Sequence, residues 1–121
     1  MTNPLILLIE DDPALGKIFS LALQGKGFTT EWVTDGAAAL LRLAEITPNL
    51  VILDLHLPNV AGTSILAQIR ADARLANTPV ILTTADERLA QTLEEQANLV
   101  LLKPISPEQL SMLAARLVKR T

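Results

Sequence analysis

The sequence predicts an α/β fold, in which a doubly wound parallel sheet of five strands carries helices on both faces. Short runs rich in branched aliphatic residues alternate five times with longer segments of helical period. No hairpin signal such as Asn-Gly joins two successive strands, so each strand is expected to return through a right-handed helical crossover. The four aliphatic residues at 50–53 lead into Asp54, which is typical of a parallel strand that is buried on both faces and ends at a loop.

The first two strands and the first helix are indicated by residue pattern and by a capping residue. Leu5–Ile9 is predicted as the first strand, and Pro13 suits the first position of a helix that Asp12 caps. The helical spacing predicts a buried face made of Leu15, Ile18, Phe19, Ala22 and Leu23. Residues 28–33 predict a second strand, which we expect at an edge of the sheet.

The middle of the chain predicts two helices around the strand that ends at Asp54. Asp35 and Gly36 introduce the second helix, for which the spacing predicts a buried stripe of Ala37, Leu40, Leu41 and Ala44. The third helix begins at Gly62 and ends before Asp72. Its inward residues are predicted to be Ile65, Leu66 and Ile69.

The last third of the chain predicts two further strands and two further helices. Residues 79–83 form the fourth strand, 86–97 the fourth helix and 99–102 the fifth strand. Ser106 and Pro107 open the final helix. One face of this helix carries its apolar residues, Leu110, Leu113, Ala114, Leu117 and Val118.

Composition limits the size, the compartment and the partners of the protein. With 121 residues, 50% of them hydrophobic, we expect one domain spanning residues 1–121. The chain contains no cysteine, and its N-terminus lacks the basic region of a signal peptide, so a cytoplasmic location without membrane contact is expected. A net charge of −3 without a basic cluster gives no footprint for nucleic acid.

Polar residues follow four of the five predicted strands, at the points where those strands end. They are Glu10, Asp11 and Asp12 after the first strand, Asp54 after the third, Thr84 after the fourth and Lys103 after the fifth. In a parallel sheet these ends meet at one edge, where ligands bind. Carboxylates suit a hard cation such as Mg²⁺, and Asp54 near an ammonium and a hydroxyl suits attack on a phosphoryl group. Each residue alone is also explained as a helix cap or a solvated turn residue.

Together these motifs resemble the CheY-like receiver domains of two-component response regulators, over essentially the whole chain. The matching segments are the acidic cluster at 8–13, the loop from Asp54 to Pro58 followed by Gly62, Thr83-Thr84-Ala85, and Lys103-Pro104. The resemblance implies a flavodoxin-like (βα)5 fold with the strand order 2-1-3-4-5. It also implies a phosphoprotein that takes part in phosphorelay signal transduction.

The resemblance assigns a phosphoacceptor and a metal site. Asp54 would accept a phosphoryl group from a phosphohistidine on a sensor histidine kinase or phosphotransfer protein, in a Mg²⁺-dependent reaction. Asp11, Asp54 and the backbone carbonyl of His56 would bind Mg²⁺, and Glu10 would reach the ion through water. Asp12 matches a variable position of the family, for which helix capping is the preferred interpretation.

The resemblance also assigns the groups that contact the phosphoryl oxygens. Thr84 would bond to one oxygen, and Lys103 would pair with the acceptor carboxylate before transfer and with the phosphoryl group afterwards. The Lys103–Pro104 peptide bond would be cis. The chain would not be an enzyme towards other molecules, since it would catalyse only its own phosphorylation and dephosphorylation.

The chain departs from the family pattern in ways that concern signalling. Val100 lies three residues before Lys103, where receivers usually carry Tyr or Phe, so an aromatic switch is missing there. The segment from Thr84 to Lys103 is shorter than usual, which predicts a clipped fourth helix. His56 and Asp86 are free to tune the lifetime of the phosphorylated form by orienting a water. Alternatively, Asp86 caps the fourth helix and His56 is a solvated loop residue.

The sequence leaves a second function open, a receiver that acts mainly as a protein-interaction module with output independent of phosphorylation. A haloacid-dehalogenase-type phosphatase would need a second acid where this chain has His56, and a flavodoxin would need a phosphate loop where it has acidic residues. The sequence is compatible with a stand-alone regulator and with the N-terminal domain of a longer protein that carries an output domain. A monomer or a weak homodimer is expected.

Overall fold

The computed structural model describes residues 3–119, in which five strands alternate with five helices. The elements are β1 (Leu5–Ile9), α1 (Pro13–Gly25), β2 (Thr29–Val33), α2 (Gly36–Leu43), β3 (Leu50–Asp54), α3 (Gly62–Ala71), β4 (Val80–Thr84), α4 (Glu87–Leu93), β5 (Leu99–Leu102) and α5 (Pro107–Leu117). β2 and β4 each begin one residue later than predicted. Residues 1, 2, 120 and 121, which the predicted domain includes, lie outside the described residues.

The strands form one parallel sheet in the order β2-β1-β3-β4-β5. The predicted α/β class and the strand order implied by the resemblance are therefore confirmed, and β2 lies at an edge as expected. Among the described helices, none has both the length and the apolar character needed to cross a bilayer.

The central strand β3 is held from both sides of the sheet. All five of its residues are buried, and successive side chains point to opposite faces. Val51 and Leu53 join a core cluster that α2, α3 and α4 cover, whereas Leu50 and Ile52 join a cluster that α1 and α5 cover. Burying each aliphatic side chain contributes about 1.5–3 kcal/mol. Asp54, the last residue of β3, is thus attached to a rigid strand.

The buried face of α1 differs in one residue from the predicted stripe. Phe19 and Leu23 are buried as predicted, but the prediction for Ile18 was wrong, since 47% of this residue is exposed. Gly16 explains the difference, because a Cβ atom there would lie 2.1 Å from the indole of Trp32. The close approach of Trp32 turns Gly16 inward and leaves Ile18 towards solvent.

The predicted stripe of α2 was wrong in its phase. Ala37, Leu41 and Ala44 are exposed, with Leu41 at 71%, while Leu40 is half-buried. The residues that are buried are Gly36, Ala39 and Leu43. Gly36 sets the phase, because a Cβ atom at this position would lie only 2.4 Å from the carbonyl oxygen of Val60.

Helix α4 is shorter than the predicted span 86–97, in agreement with the clipped helix that the short segment indicated. It begins after Asp86, whose carboxylate accepts hydrogen bonds from two backbone N–H groups of its first turn. The helix ends at Leu93, and beyond it Arg70 of α3 donates to the carbonyl of Gln96 at 2.8 Å. The carbonyl of Gln96 therefore has its hydrogen-bond donor outside α4.

Candidate functional site

The carboxyl ends of β1, β3, β4 and β5 bring the predicted site residues to one edge of the sheet. β1 and β3 are in register, so Glu10 and Asp54 lie side by side. The backbone N–H of Lys103 donates to the carbonyl of Thr84 at 2.8 Å, which joins the ends of β4 and β5. The cluster expected from four strand ends is therefore present in the structure.

Asp54 is buried, yet each of its carboxylate oxygens has a donor. Only 2% of the residue is exposed. The Lys103 ammonium lies 3.1 Å from Oδ2, and the backbone N–H of His56 donates to Oδ1 at 3.0 Å. A buried carboxyl group without partners is costly, and these two donors satisfy both oxygens of Asp54.

The second buried carboxyl group, Glu10, is easier to protonate than an ordinary glutamate. Burial first, and the nearby Asp54 second, raise the pKa of Glu10 from 4.5 to about 7. The backbone N–H of Asp12 donates to Oε2 at 3.2 Å, and Lys103 lies 3.4 Å from Oε1; both oppose this rise. The site therefore changes charge near neutral pH.

Lys103 is the cation shared by the two buried carboxyl groups. Burial alone would lower the pKa of its ammonium, but the attraction of Asp54 and then of Glu10 outweighs burial and raises the pKa. The ammonium therefore stays charged at neutral pH. The Lys103 ammonium lies where it can stabilise negative charge that develops at Asp54.

Three carboxylates form a group that fits a divalent cation. One oxygen each from Glu10, Asp11 and Asp54 lies within 4.8 Å of the other two, and Asp11 is exposed to solvent. Mg²⁺ prefers oxygen ligands and retains several waters, so an open cluster of carboxylates suits it. Asp12 serves α1 instead, since its carboxylate accepts from the N–H groups of Ala14 at 2.8 Å and Leu15 at 3.1 Å. The backbone carbonyl of His56 stays a predicted ligand.

Thr84 links the site to the two candidate residues for the lifetime of a phosphorylated form. Thr84 is fully buried, and its Oγ1 accepts from the backbone N–H of Asp86 at 3.0 Å. The ring nitrogen Nε2 of His56 lies 3.1 Å from the same oxygen. The Asp86 carboxylate caps α4, as the alternative interpretation proposed. The tuning roles of both residues stay predictions.

Two backbone features shape the loops around the site. The Lys103–Pro104 peptide bond is cis, as the resemblance implies. Gly62, which follows the acceptor loop, lies so close to β3 that a Cβ atom would be 2.6 Å from Cα of Leu55 and 2.7 Å from the carbonyl oxygen of Asp54. A glycine is therefore needed where α3 passes the acceptor.

One residue that contacts the site, Trp32, was not predicted from the sequence. The indole N–H of Trp32, on the edge strand β2, donates to the backbone carbonyl of Glu10 at 2.8 Å. The available signal was the sole tryptophan of the chain on a strand predicted to neighbour the acidic loop. At position 100 the structure places a half-buried Val100 opposite Leu82, packed against the core under α2, α3 and α4.

Known proteins resemble this chain in sequence and in structure. The family model of the response regulator receiver domain matches residues 6–115. The DNA-binding response regulator MtrA of Mycolicibacterium smegmatis is 35% identical over 108 residues, which are 87% of this chain and 46% of that protein. FilR2, a probable methanogenesis regulatory protein of Methanothrix harundinacea, is 40% identical over 117 residues, which are 88% of this chain and 76% of that protein.

A solved structure agrees with these matches. The signal receiver domain of a signal transduction histidine kinase from Syntrophus aciditrophicus superposes with a TM-score of 0.86 at 31% identity. The alignment covers 98% of this chain and 94% of that one. The chain spans about half the length of the mycobacterial MtrA proteins that it matches.

Proposed function

Because the chain belongs to the response regulator receiver domain family of two-component systems, we propose that Asp54 accepts a phosphoryl group from a phosphohistidine. The donor would be a sensor histidine kinase or a phosphotransfer protein. The observation that carries the proposal is the buried Asp54, held 3.1 Å from the Lys103 ammonium and beside the carboxylates of Glu10 and Asp11. The valine at position 100 is the feature behind the alternative, a module that is independent of phosphorylation, and this residue lies outside the group formed by Asp54, Lys103, Glu10 and Asp11.

In the proposed reaction a carboxylate oxygen of Asp54 attacks phosphorus while the bond from phosphorus to the donor nitrogen breaks. The bonding electrons leave with the donor imidazole, which then takes a proton from solvent. Lys103 passes from the carboxylate to the phosphoryl oxygens, and Thr84 donates its hydroxyl proton to one of them. Glu10, Asp11, Asp54 and the His56 carbonyl would hold Mg²⁺, directly or through water, and a bound Mg²⁺ neutralises phosphoryl charge.

Hydrolysis within the same site would return the phosphorylated form to the unphosphorylated one. The chain would thus act on itself and on no other substrate. His56 or Asp86 would orient the attacking water and so set the lifetime. Comparing the dephosphorylation rates of His56→Ala and Asp86→Ala with the parent tests this assignment. Equal rates in all three proteins would remove both residues from the lifetime proposal.

The signal would pass to an output domain or to a separate partner. Relatives such as MtrA are about twice as long as this chain, and MtrA is named a DNA-binding response regulator. We propose that any DNA contact belongs to such an output domain, because this chain has a net charge of −3. The compartment we propose is the cytoplasm, where the kinase would donate its phosphoryl group.

Intact mass spectrometry tests the proposed function. The protein is incubated with Mg²⁺ and acetyl phosphate, beside the matched variant Asp54→Asn and a sample with EDTA. We expect one added phosphoryl group on the parent and none on the variant or on the EDTA sample. A folded parent that gains no phosphoryl group would refute the proposal.

A further inference from the structure

The buried hydroxyl of Thr84 has a single proton, and two different groups could accept a hydrogen bond from it. Its oxygen already accepts the backbone N–H of Asp86 at 3.0 Å, so the hydroxyl proton remains to be donated. The atom in position to accept it is Nε2 of His56, 3.1 Å away. Because Thr84 is fully buried, leaving this proton without an acceptor would be costly. The contact therefore suits a hydrogen bond from the Thr84 hydroxyl to Nε2 of His56.

A phosphoryl group on Asp54 would compete for the same proton. In the proposed reaction Thr84 donates to a phosphoryl oxygen, and one hydroxyl proton cannot serve two acceptors fully. His56 also follows Asp54 closely, since its backbone N–H donates to Oδ1 of Asp54 at 3.0 Å. The main chain of His56 thus contacts Asp54, and the side chain of His56 contacts Thr84.

The other rings of the chain lie elsewhere. Phe19 and Phe28 are buried in the core cluster under α1 and α5, and Trp32 packs against that cluster. The chain has no tyrosine, and position 100 is a valine. The ring in contact with Thr84 is therefore the imidazole of His56, which is exposed at the surface.

We propose that His56 is a positioning residue that holds the hydroxyl of Thr84 in the unphosphorylated protein and releases it when Asp54 is phosphorylated. The freed imidazole changes its position in the exposed loop after β3, where a partner surface can detect it. The inference rests on the proposed phosphorylation of Asp54. It goes further in naming the side chain that reports the phosphorylated state.

The experiment uses the fact that His56 is the sole histidine of the chain. In ¹⁵N-labelled protein, long-range proton–nitrogen correlation spectra resolve the two ring nitrogens of this residue. We expect an unprotonated, hydrogen-bonded Nε2 before addition of Mg²⁺ and beryllium fluoride, a phosphoryl mimic, and the signals of a solvated imidazole afterwards. Thr84→Val, which lacks the hydroxyl, should show the solvated signals from the start, and Asp54→Asn should not respond.

A binding measurement gives a second, independent readout. Removal of the competing acceptor in His56→Ala should tighten binding of the mimic roughly fivefold, the equilibrium equivalent of one hydrogen bond. The same substitution in a Thr84→Val background should have no effect, because the competition no longer exists. Circular dichroism of each variant verifies that the fold is retained.

The outcomes separate this inference from the function on which it rests. If the parent gains a phosphoryl group but the His56 ring signals and the His56→Ala affinity do not change, the positioning role is refuted and the proposed function stands. If the parent neither gains a phosphoryl group nor binds the mimic, both fall. Changed ring signals in the parent alone, together with the fivefold effect, support the inference.

Discussion

The buried carboxyl of Glu10 should make the stability of the metal-free protein fall as the pH rises towards neutrality. Its pKa is raised from 4.5 to about 7 in the folded protein, so between these pH values the folded state binds more protons than the unfolded state. The free energy of unfolding then decreases with pH across this window and is level above it. At about 1.4 kcal/mol for each pKa unit, the decrease amounts to about 3 kcal/mol.

The assay is urea denaturation at a series of pH values from 4.5 to 8 in EDTA, on the parent and on Glu10→Gln. The glutamine keeps the shape of the side chain but does not titrate, so the pH dependence due to this group should disappear. The free energy of unfolding of Glu10→Gln, relative to that of the parent, should therefore increase by about 3 kcal/mol from the acidic end of the series to the basic end. Exposed Glu95 supplies the control, and Glu95→Gln should follow the parent. A difference between Glu10→Gln and the parent that does not change with pH would refute the reasoning.

Three further substitutions test individual contacts, two beside the site and one, that of Arg70, at the amino ends of β4 and β5. Arg70→Met removes hydrogen bonds to three backbone carbonyls and one side-chain oxygen, so urea denaturation should show a loss of about 2 kcal/mol; full stability would contradict this role. Gly62→Ala forces a methyl group against Leu55 and should lower the stability measured by thermal unfolding by about 2 kcal/mol. Equal stability of the variant and the parent would show that α3 shifts freely and would contradict this prediction. Trp32→Phe loses the donor to the Glu10 carbonyl and should weaken Mg²⁺ binding about fivefold by calorimetry; an equal affinity would show that the indole does not support the site.

The parts of the structure that could be predicted are those fixed by short-range pattern. The aliphatic run before Asp54 predicts a strand buried on both faces, and parallel strands bring their carboxyl ends together, so the site follows from strand ends. Glu10 and Lys103 are 93 positions apart in sequence but contact each other for this reason. The cap of α1 by Asp12 was predictable because it involves only neighbouring residues.

The parts that could not be predicted depend on contacts between distant residues. The first turns of α2 are apolar all round, so periodicity did not fix which side faces the core. The contact of Gly36 with Val60 determines which side does. The segment after α4 is bonded through the carbonyl of Gln96 to Arg70 in a different helix. The hydrogen bond between His56 and Thr84 joins the ends of two strands and has no sequence pattern of its own.

Chemical mapping of the phosphoryl group tests most directly whether Asp54 carries it. After incubation with Mg²⁺ and acetyl phosphate, the protein is reduced with sodium borohydride, which converts an aspartyl phosphate to homoserine, and its peptides are sequenced by mass spectrometry. We predict homoserine at position 54 and unchanged aspartates at positions 11 and 12. A phosphoryl group mapped to another residue, or none at position 54 in folded protein, would contradict the claim.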